Sequence, residues 1–197
     1  QRRCHPLTVL GDHSRFNVGL RACGNERGET VQSELTLIFR CYGLPKRMLM
    51  DNGSPWGSDR DHPYTPLVAW LFRLGVKVSH GRPRHPQTQG KEERFHRTLR
   101  AELLRGREFC DLRDAQERFD PWRDLYNTER PHEALGLGLP VSRYALSPRG
   151  FKEEVLPWDY GPGAETRKVY APGLMSYGGR EYKLGRHSRG SVWGFVP

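Results

Sequence analysis

The sequence has few cysteines and no long apolar run, and each absence argues against a class of protein. The four cysteines lie far apart, without a C-x-x-C pair, at positions 4, 23, 41 and 110. This spacing argues against a zinc knuckle and predicts buried free thiols in a reducing compartment. No apolar run approaches the roughly 18 residues that a membrane-spanning helix needs. We therefore expect no membrane partner.

Acidic residues are too few to balance the basic ones. The chain of 197 residues has 32 Lys and Arg against 23 Asp and Glu, which gives a net charge of +9. Its mean hydropathy of −0.77 indicates a heavily polar surface, although 36% hydrophobic residues are enough to build a core. A surplus of positive charge indicates a polyanionic partner, and nucleic acid is the commonest one.

The positive charge is concentrated between positions 80 and 107. Eight Lys or Arg stand there against three Glu, so that the local net charge is +5 (8 − 3) of the total of +9. The part up to about residue 89 is rich in Gly and Pro and predicts a loop. The part after it predicts a helix, because Phe95, Leu99 and Leu103 recur at i, i+4 and i+8 and form one apolar stripe.

The opposite side of this predicted helix carries one carboxylate and two guanidiniums. Glu93, Arg97 and Arg100 recur at i, i+4 and i+7 and therefore share a face. Two interpretations are open. The helix could be solvated and stabilised by a Glu93–Arg97 pair, or it could direct a carboxylate at a phosphodiester while the flanking cations hold the strand.

Predicted strands and helices alternate along the first two thirds of the chain. They lie at 7–10, 16–20, 29–42, 48–50, 67–74 and 76–78, and the order predicts an α/β fold. A further helix between 111 and 130 is indicated by one apolar face. Pro121 falls inside it and should kink it or split it in two.

Two aspartates follow predicted strands. Asp51 ends a short apolar strand that we expect to be buried, and ligands of α/β proteins bind at such strand ends. A plain Asp-Asn-Gly turn is the alternative. Asp12 lies in a turn, where Asp usually caps its own backbone, so we expect a cap there and not a ligand.

The last part of the chain differs from the rest. Short predicted strands, with Gly178-Gly179 as a hairpin turn, indicate a small barrel-like β module over 166–197. The predicted division is a core at 1–147, a linker at 148–165 and this module. So few strands are marginally stable alone, so the module should pack on the main domain unless the chain has been cut short.

Four stretches together resemble the integrase-core transposases of bacterial insertion sequences, which are relatives of retroviral integrases. They are LTVLGDHSRF (7–16), MLMDNGSPWG (48–57), HGRPRHPQTQGKEERFHRTLRAELL (80–104) and YNTERPHEALGLGLPVSRY (126–144). The resemblance implies an RNase H-like mixed sheet flanked by helices. It also implies chemistry in which three carboxylates, Asp, Asp and Glu, hold two Mg²⁺ or Mn²⁺ ions for attack on phosphodiesters.

The resemblance places the second Asp of this set on Asp51 and the Glu on Glu93. Glu92 should point about 100° away around the helix and is rejected as the ligand. The first Asp would fall upstream of Gln1, and Asp12 matches a different position of the family. The resemblance therefore implies an N-terminally truncated core without its first strand, in which strand transfer is impaired or lost.

The resemblance further implies that the partner is double-stranded DNA, as element ends and target, and that the chain is a homo-oligomer in the bacterial cytoplasm, at the nucleoid. The implied phosphate contacts are Arg82, Arg84, Lys91, Arg94, Arg97 and Arg100. Two alternatives are left. The chain could be a catalytically inactive DNA-binding remnant that pairs with an intact transposase, or a nuclease of the same fold that cuts RNA–DNA hybrids.

Overall fold

The computed structural model describes residues 3–51, 53–57, 64–81, 90–153, 164–184 and 192–195. The chain divides into two compact units. The first contains residues 1–43 and 82–150, and the second contains 44–81 and 151–197. Within the described ranges, no helix combines the length and the apolar character that crossing a membrane requires.

The first unit begins with an antiparallel hairpin, so the stretches 7–10 and 16–20 form two strands and not one bent strand. Strand β1 (His5–Leu10) pairs with β2 (Asn17–Cys23), and the register shifts between Val9 and Leu10. The turn between the strands is closed by a hydrogen bond of 2.7 Å from the Gly11 N–H to the Phe16 carbonyl. Helix α1 (Gly28–Tyr42) packs on β2 across Gly19, where a Cβ atom would collide with the Ile38 side chain.

Two further helices complete the core of the first unit. Helix α3 (Gly90–Leu99) continues into a π-helical turn (Arg100–Leu104), and helix α4 (Leu112–Thr128) follows. The predicted apolar stripe is confirmed, since Phe95 and Leu99 are 2% exposed and Leu103 is 3% exposed. They pack in one cluster with residues of β2 and α4, namely Leu20, Ala115, Phe119 and Tyr126.

Pro121 does not split the helix in which it lies. Helix α4 is continuous from Leu112 to Thr128, so the predicted split is wrong, while the predicted kink stays a prediction. Phe119 and Tyr126, on either side of the proline, are 0% and 3% exposed and belong to the same core cluster. Their burial holds both halves of α4 in place, although Pro121 has no N–H to donate within the helix.

In the second unit, two strands and one helix form a parallel crossover. Strand β3 (Arg47–Met50) pairs with β4 (Lys77–His80), and helix α2 (Pro66–Arg73) lies between them in the chain. Thr65 caps α2, because its side-chain oxygen accepts from the Val68 N–H at 3.2 Å. The predicted strand–helix–strand order of this segment is confirmed.

The short strands predicted at the end of the chain are present as four, paired two by two. Strand β5 (Glu165–Lys168) pairs with β8 (Val192–Phe195), and β6 (Leu174–Tyr177) pairs with β7 (Arg180–Lys183). Tyr64, which precedes α2 in the same unit, packs on the small core of this segment. That core consists of Val169, Met175 and Leu184. Closure into a barrel and the predicted domain boundaries stay predictions.

The cysteines are free thiols, but not all of them are buried. Cys23 is buried and Cys4 half-buried, whereas Cys41 and Cys110 are exposed. The prediction of buried thiols is therefore wrong for Cys41, on the outer side of α1, and for Cys110, in the loop before α4. Burial, and next the charge of Glu34, raise the pKa of Cys23 to about 11.

Candidate functional site

Asp51 directly follows β3, as the sequence predicts. It is exposed, and its backbone carbonyl lies 3.1 Å from Nδ1 of His80, the last residue of β4. The strand before it is covered on one face only, because Met50 is 5% exposed while its neighbour Leu49 is 37% exposed. The prediction of a buried strand is therefore wrong, although the position of Asp51 at a strand end is confirmed.

Glu93 lies in the first turn of α3 and is exposed, as are Arg97 and Arg100. Among the ion pairs of the described residues there is none between Glu93 and Arg97. The interpretation in which this helix is stabilised by that pair is therefore not supported. The outer face of α3 presents one carboxylate and two guanidiniums that do not neutralise each other.

Contacts of α3 with β1 and α4 hold this face in position. Phe95 is buried against α4, and Nε2 of His96 lies 2.8 Å from Oγ1 of Thr8 on β1. Burial, and then the charge of Arg100, lower the pKa of His96. The helix that carries Glu93 is therefore fixed to both the hairpin and α4.

The carboxylates predicted as metal ligands belong to different units, Asp51 to the second and Glu93 to the first. Their convergence on one metal stays a prediction. Carboxylate oxygens are the ligands that Mg²⁺ prefers, so the donor type fits a hard divalent cation. The described ranges nevertheless contain no group of three or more His, Cys, Asp or Glu that could hold a metal ion.

Two of the predicted phosphate-binding cations are engaged within the first unit. Lys91 forms an ion pair with the carboxylate of Asp12, and Arg94 pairs with Glu133 at 3.0 Å. The predicted backbone cap by Asp12 is wrong, because its carboxylate reaches across to α3 instead of bonding within its own turn. Two others of the predicted six, Arg82 and Arg84, lie outside the described residues.

A cavity of about 480 Å³ in the first unit adds two cations, Arg15 and Arg143, that no sequence pattern indicated. Arg15 and Arg143 line it together with Lys91, although 128 positions (143 − 15) separate the two arginines in the chain. Arg15 lies in the hairpin turn and Arg143 ends the short helix α5 (Pro140–Arg143). No spacing rule connects them; both lie within stretches that carry the family resemblance.

The cations around this region create a positive potential that acts on His132. Burial lowers the pKa of His132, and the charges of Arg130, Arg15 and Arg94 lower it further. Its Nε2 is a buried atom without a hydrogen-bond partner among the described residues. The region therefore disfavours a further positive charge and is suited to an anion.

Two family profiles, both described as integrase core domain, match the chain over residues 1–86 and 74–140. The chain belongs to the integrase core family. Proteins of this family generally use divalent metal ions. Together with the relatives below, the two matches confirm the resemblance to integrase-core transposases of bacterial insertion sequences.

Proteins of two bacterial insertion elements are similar to this integrase core. One is the 39.2 kDa protein of IS476 from Xanthomonas euvesicatoria, 28% identical over 148 residues, which are 75% of this chain and 41% of that protein. Another is the 31.7 kDa protein of IS407 from Burkholderia multivorans, 29% identical over 148 residues, which are 75% of this chain and 51% of that protein. The chain thus spans about half, or less, of the length of these relatives.

Two solved structures share the fold. The catalytic core domain of BIV integrase has a TM-score of 0.53 and 18% identity, over 71% of this chain and 89% of that one. A chain of the simian T-cell lymphotropic virus intasome, solved in complex with PP2A regulatory subunit B56 gamma, has a TM-score of 0.55 and 14% identity, over 88% of this chain and 63% of that one. The predicted RNase H-like fold is confirmed for this integrase core.

Proposed function

We propose that this chain takes part in DNA transposition, as the portion of an integrase-core transposase that binds duplex DNA and positions a phosphodiester for cleavage and strand transfer. Membership of the integrase core family supports the general role. The observation that carries the proposal is the outer face of α3, where Glu93 lies exposed beside Arg97 and Arg100 without pairing with Arg97.

In this proposal Arg97 and Arg100 bind phosphates of the DNA, and Lys91 and Arg94 add positive charge on neighbouring sides of α3. Arg82 and Arg84 stay predicted contacts. Contacts to phosphate position a duplex but carry no information about its bases, so the preference for target sequence should be weak. The cations also explain why binding should depend on ionic strength, since each phosphate contact releases condensed counterions.

The binding test is a fluorescence anisotropy titration of a labelled duplex at several salt concentrations. The affinity should fall steeply with salt, and Arg97→Gln/Arg100→Gln should lower the slope of log K against log salt by about 2. Arg113→Gln/Arg118→Gln removes the same charge from α4 and is the matched control. A flat salt response of the unmodified chain would contradict the proposal.

The divalent metal of the family, as Mg²⁺ or Mn²⁺, would be held by Asp51 and Glu93. When bound, such ions activate a hydroxyl nucleophile and stabilise the leaving oxygen of a phosphodiester. The chain's own part is to present the Glu93 carboxylate from a helix that is anchored through Phe95, and to hold the DNA phosphates with Arg97 and Arg100.

A second candidate is DNA binding without catalysis, including pairing with an intact transposase. It needs only the exposed cations of α3, Arg97 and Arg100, which can hold DNA phosphates without a metal ion. Nicking of a supercoiled plasmid in the presence of Mg²⁺ or Mn²⁺ distinguishes the two candidates. If the chain is catalytic, Glu93→Gln should abolish nicking and retain DNA binding, whereas Glu92→Gln should retain both.

A chain that binds the plasmid without nicking it would support the second candidate. Cleavage of an RNA–DNA hybrid in preference to the plasmid would instead favour a hybrid-cutting nuclease.

We also propose that the chain associates with itself and acts on DNA at the bacterial nucleoid. Sedimentation of the purified chain over a range of concentrations tests self-association, which a constant monomer mass would contradict.

A further inference from the structure

A cavity on the first unit lies on a different side of α3 from Glu93. Lys91, which lines the cavity, precedes Glu93 by two residues, and two residues turn a helix by about 200°. The remaining lining comes from the hairpin turn, the end of α5 and the turn at 134–136. The cavity, of about 480 Å³, is therefore distinct from the outer face of α3 described above.

Asp12 holds two of the cavity's cations in place. Its backbone carbonyl accepts hydrogen bonds from the guanidinium of Arg15 and from Nζ of Lys91, the latter at 3.3 Å. Its carboxylate forms the ion pair with Lys91. Arg15 has a φ of 60°, in the left-handed region, and its guanidinium lies against the Asp12 carbonyl of its own turn. The two cations are thereby positioned before any ligand arrives.

The cavity retains excess positive charge despite this ion pair. Arg15, Lys91 and Arg143 supply three positive charges against the single carboxylate of Asp12, which leaves +2 (3 − 1) among the lining residues. Arg143 forms no ion pair among the described residues. The lining is thus built for an anion with several oxygens, since guanidiniums bind phosphate and carboxylate groups in a bidentate manner.

We propose that this cavity binds a phosphodiester group of duplex DNA through Arg15, Lys91 and Arg143. The inference rests on the proposed function, because that function supplies the DNA. This phosphate contact is additional to those of Arg97 and Arg100, since Lys91 faces away from Glu93. It would fix the position of the duplex relative to α3. Arg94, paired with Glu133 at 3.0 Å, is held one helical turn after Lys91.

The experiment compares two double variants of the whole chain that lose the same charge. Arg15→Gln/Arg143→Gln removes two cations of the cavity, and Arg27→Gln/Arg113→Gln removes two exposed cations that do not line it. Duplex affinity is measured by anisotropy at several salt concentrations. The cavity variant should lose about tenfold or more in affinity and about 2 in the salt slope, and the control should change little.

Single variants of Arg143 keep the test valid if the loss of Arg15 disturbs the fold. Arg143 is exposed, so Arg143→Gln should leave the thermal unfolding midpoint unchanged and lower the salt slope by about 1. Arg143→Lys keeps the charge but loses the bidentate guanidinium, so it should retain the salt slope and lose only part of the affinity. Equal losses in the cavity and control variants would overturn the inference while leaving DNA binding in place.

Inorganic phosphate distinguishes a free anion from the DNA backbone as the ligand. Phosphate is added at constant ionic strength, and the unfolding midpoint is measured for the unmodified chain and for Arg143→Gln. If phosphate raises the midpoint of the unmodified chain only, while both chains bind DNA equally, the ligand is free phosphate and the inference is overturned. An unmodified chain that does not bind the duplex at all would refute the proposed function, and the inference with it.

Discussion

The side-chain amide of Asn127 binds the backbone of Asn17 as a neighbouring strand would. Its Oδ1 accepts from the Asn17 N–H at 2.8 Å, and its Nδ2 donates to the Asn17 carbonyl at 3.0 Å. Both residues are buried: Asn17 is 0% exposed and Asn127 is 3% exposed. Two hydrogen bonds across 110 positions of sequence thus join the C-terminal end of α4 to the first residue of β2.

We expect Asn127→Ala to destabilise the chain strongly. The substitution leaves a buried N–H and a buried carbonyl of Asn17 without partners, which should lower the free energy of unfolding by about 2–4 kcal/mol. Urea denaturation measures this loss. Asn25→Ala is the control, since the half-buried Asn25 amide oxygen also accepts two hydrogen bonds, an exposed one from the Arg27 N–H and one from the Thr30 hydroxyl. A loss no larger than that of the control would contradict the prediction.

Replacing the side chain of Asn17 should stabilise the chain, in contrast to the loss expected for Asn127→Ala. Both of its polar atoms are buried and have no hydrogen-bond partner among the described residues. Asn17→Val keeps the backbone hydrogen bonds to Asn127, removes the unsatisfied amide and introduces a residue suited to a strand. The free energy of unfolding in urea should rise by about 1 kcal/mol. Destabilisation by Asn17→Val would contradict the prediction, because it would mean that the Asn17 amide stabilises the folded state.

The periodicity of apolar residues correctly predicted the helix in which every buried side chain follows the helical repeat. The stripe of Phe95, Leu99 and Leu103 has the helical spacing, and each of these side chains is buried. Local rules failed where distant residues decide the outcome. Pro121 should kink or split α4 by its own chemistry, but the helix is not split, and residues on both sides of the proline are buried in one core cluster.

The candidate site could be predicted from the sequence only in part. The positions of Asp51 at a strand end and Glu93 on an exposed helical face follow from motif and spacing. The contact of Asp12 with Lys91 spans 79 positions, and the convergence of Arg15 with Arg143 spans more. Such contacts arise from packing of separate segments, which no single window of sequence contains.

The stability of the chain should decrease as the pH falls through the range in which histidine titrates. Burial, followed by Arg130, Arg15 and Arg94, lowers the pKa of His132 in the folded state. In the unfolded chain the pKa returns to about 6.5. The unfolded state therefore binds the proton more tightly, so stability is complete above about pH 6.5 and is lost progressively below it.

Urea denaturation between about pH 5 and pH 7.5 measures this dependence. His132→Gln should reduce the slope without removing it, because the pKa of His96 is lowered as well. An NMR titration of the His132 ring gives the folded-state pKa directly. A value above that of an unfolded peptide, or greater stability at pH 5, would contradict the assigned direction.

The carboxylate of Asp12 should lower the affinity for DNA and contribute little to the stability of the fold. Its ion pair with Lys91 is exposed, with side-chain exposures of 84% for Asp12 and 40% for Lys91, and such pairs contribute about 0–1 kcal/mol. Asp12→Asn removes a negative charge from the cavity and releases Lys91 to a phosphate, while the backbone carbonyl that binds Arg15 remains. We expect a severalfold gain in duplex affinity, measured by anisotropy, with an almost unchanged unfolding midpoint.

The control for Asp12→Asn is Glu117→Gln, which releases the exposed Arg113 on α4 from a similar ion pair of 2.9 Å. Because neither residue of that pair lines the cavity, its removal should change duplex affinity only through net charge. Equal gains in the two variants would show that the cavity is not a preferred contact. A loss of affinity in Asp12→Asn alone would mean that holding Lys91 in place matters more than the repulsion between the Asp12 carboxylate and the phosphate.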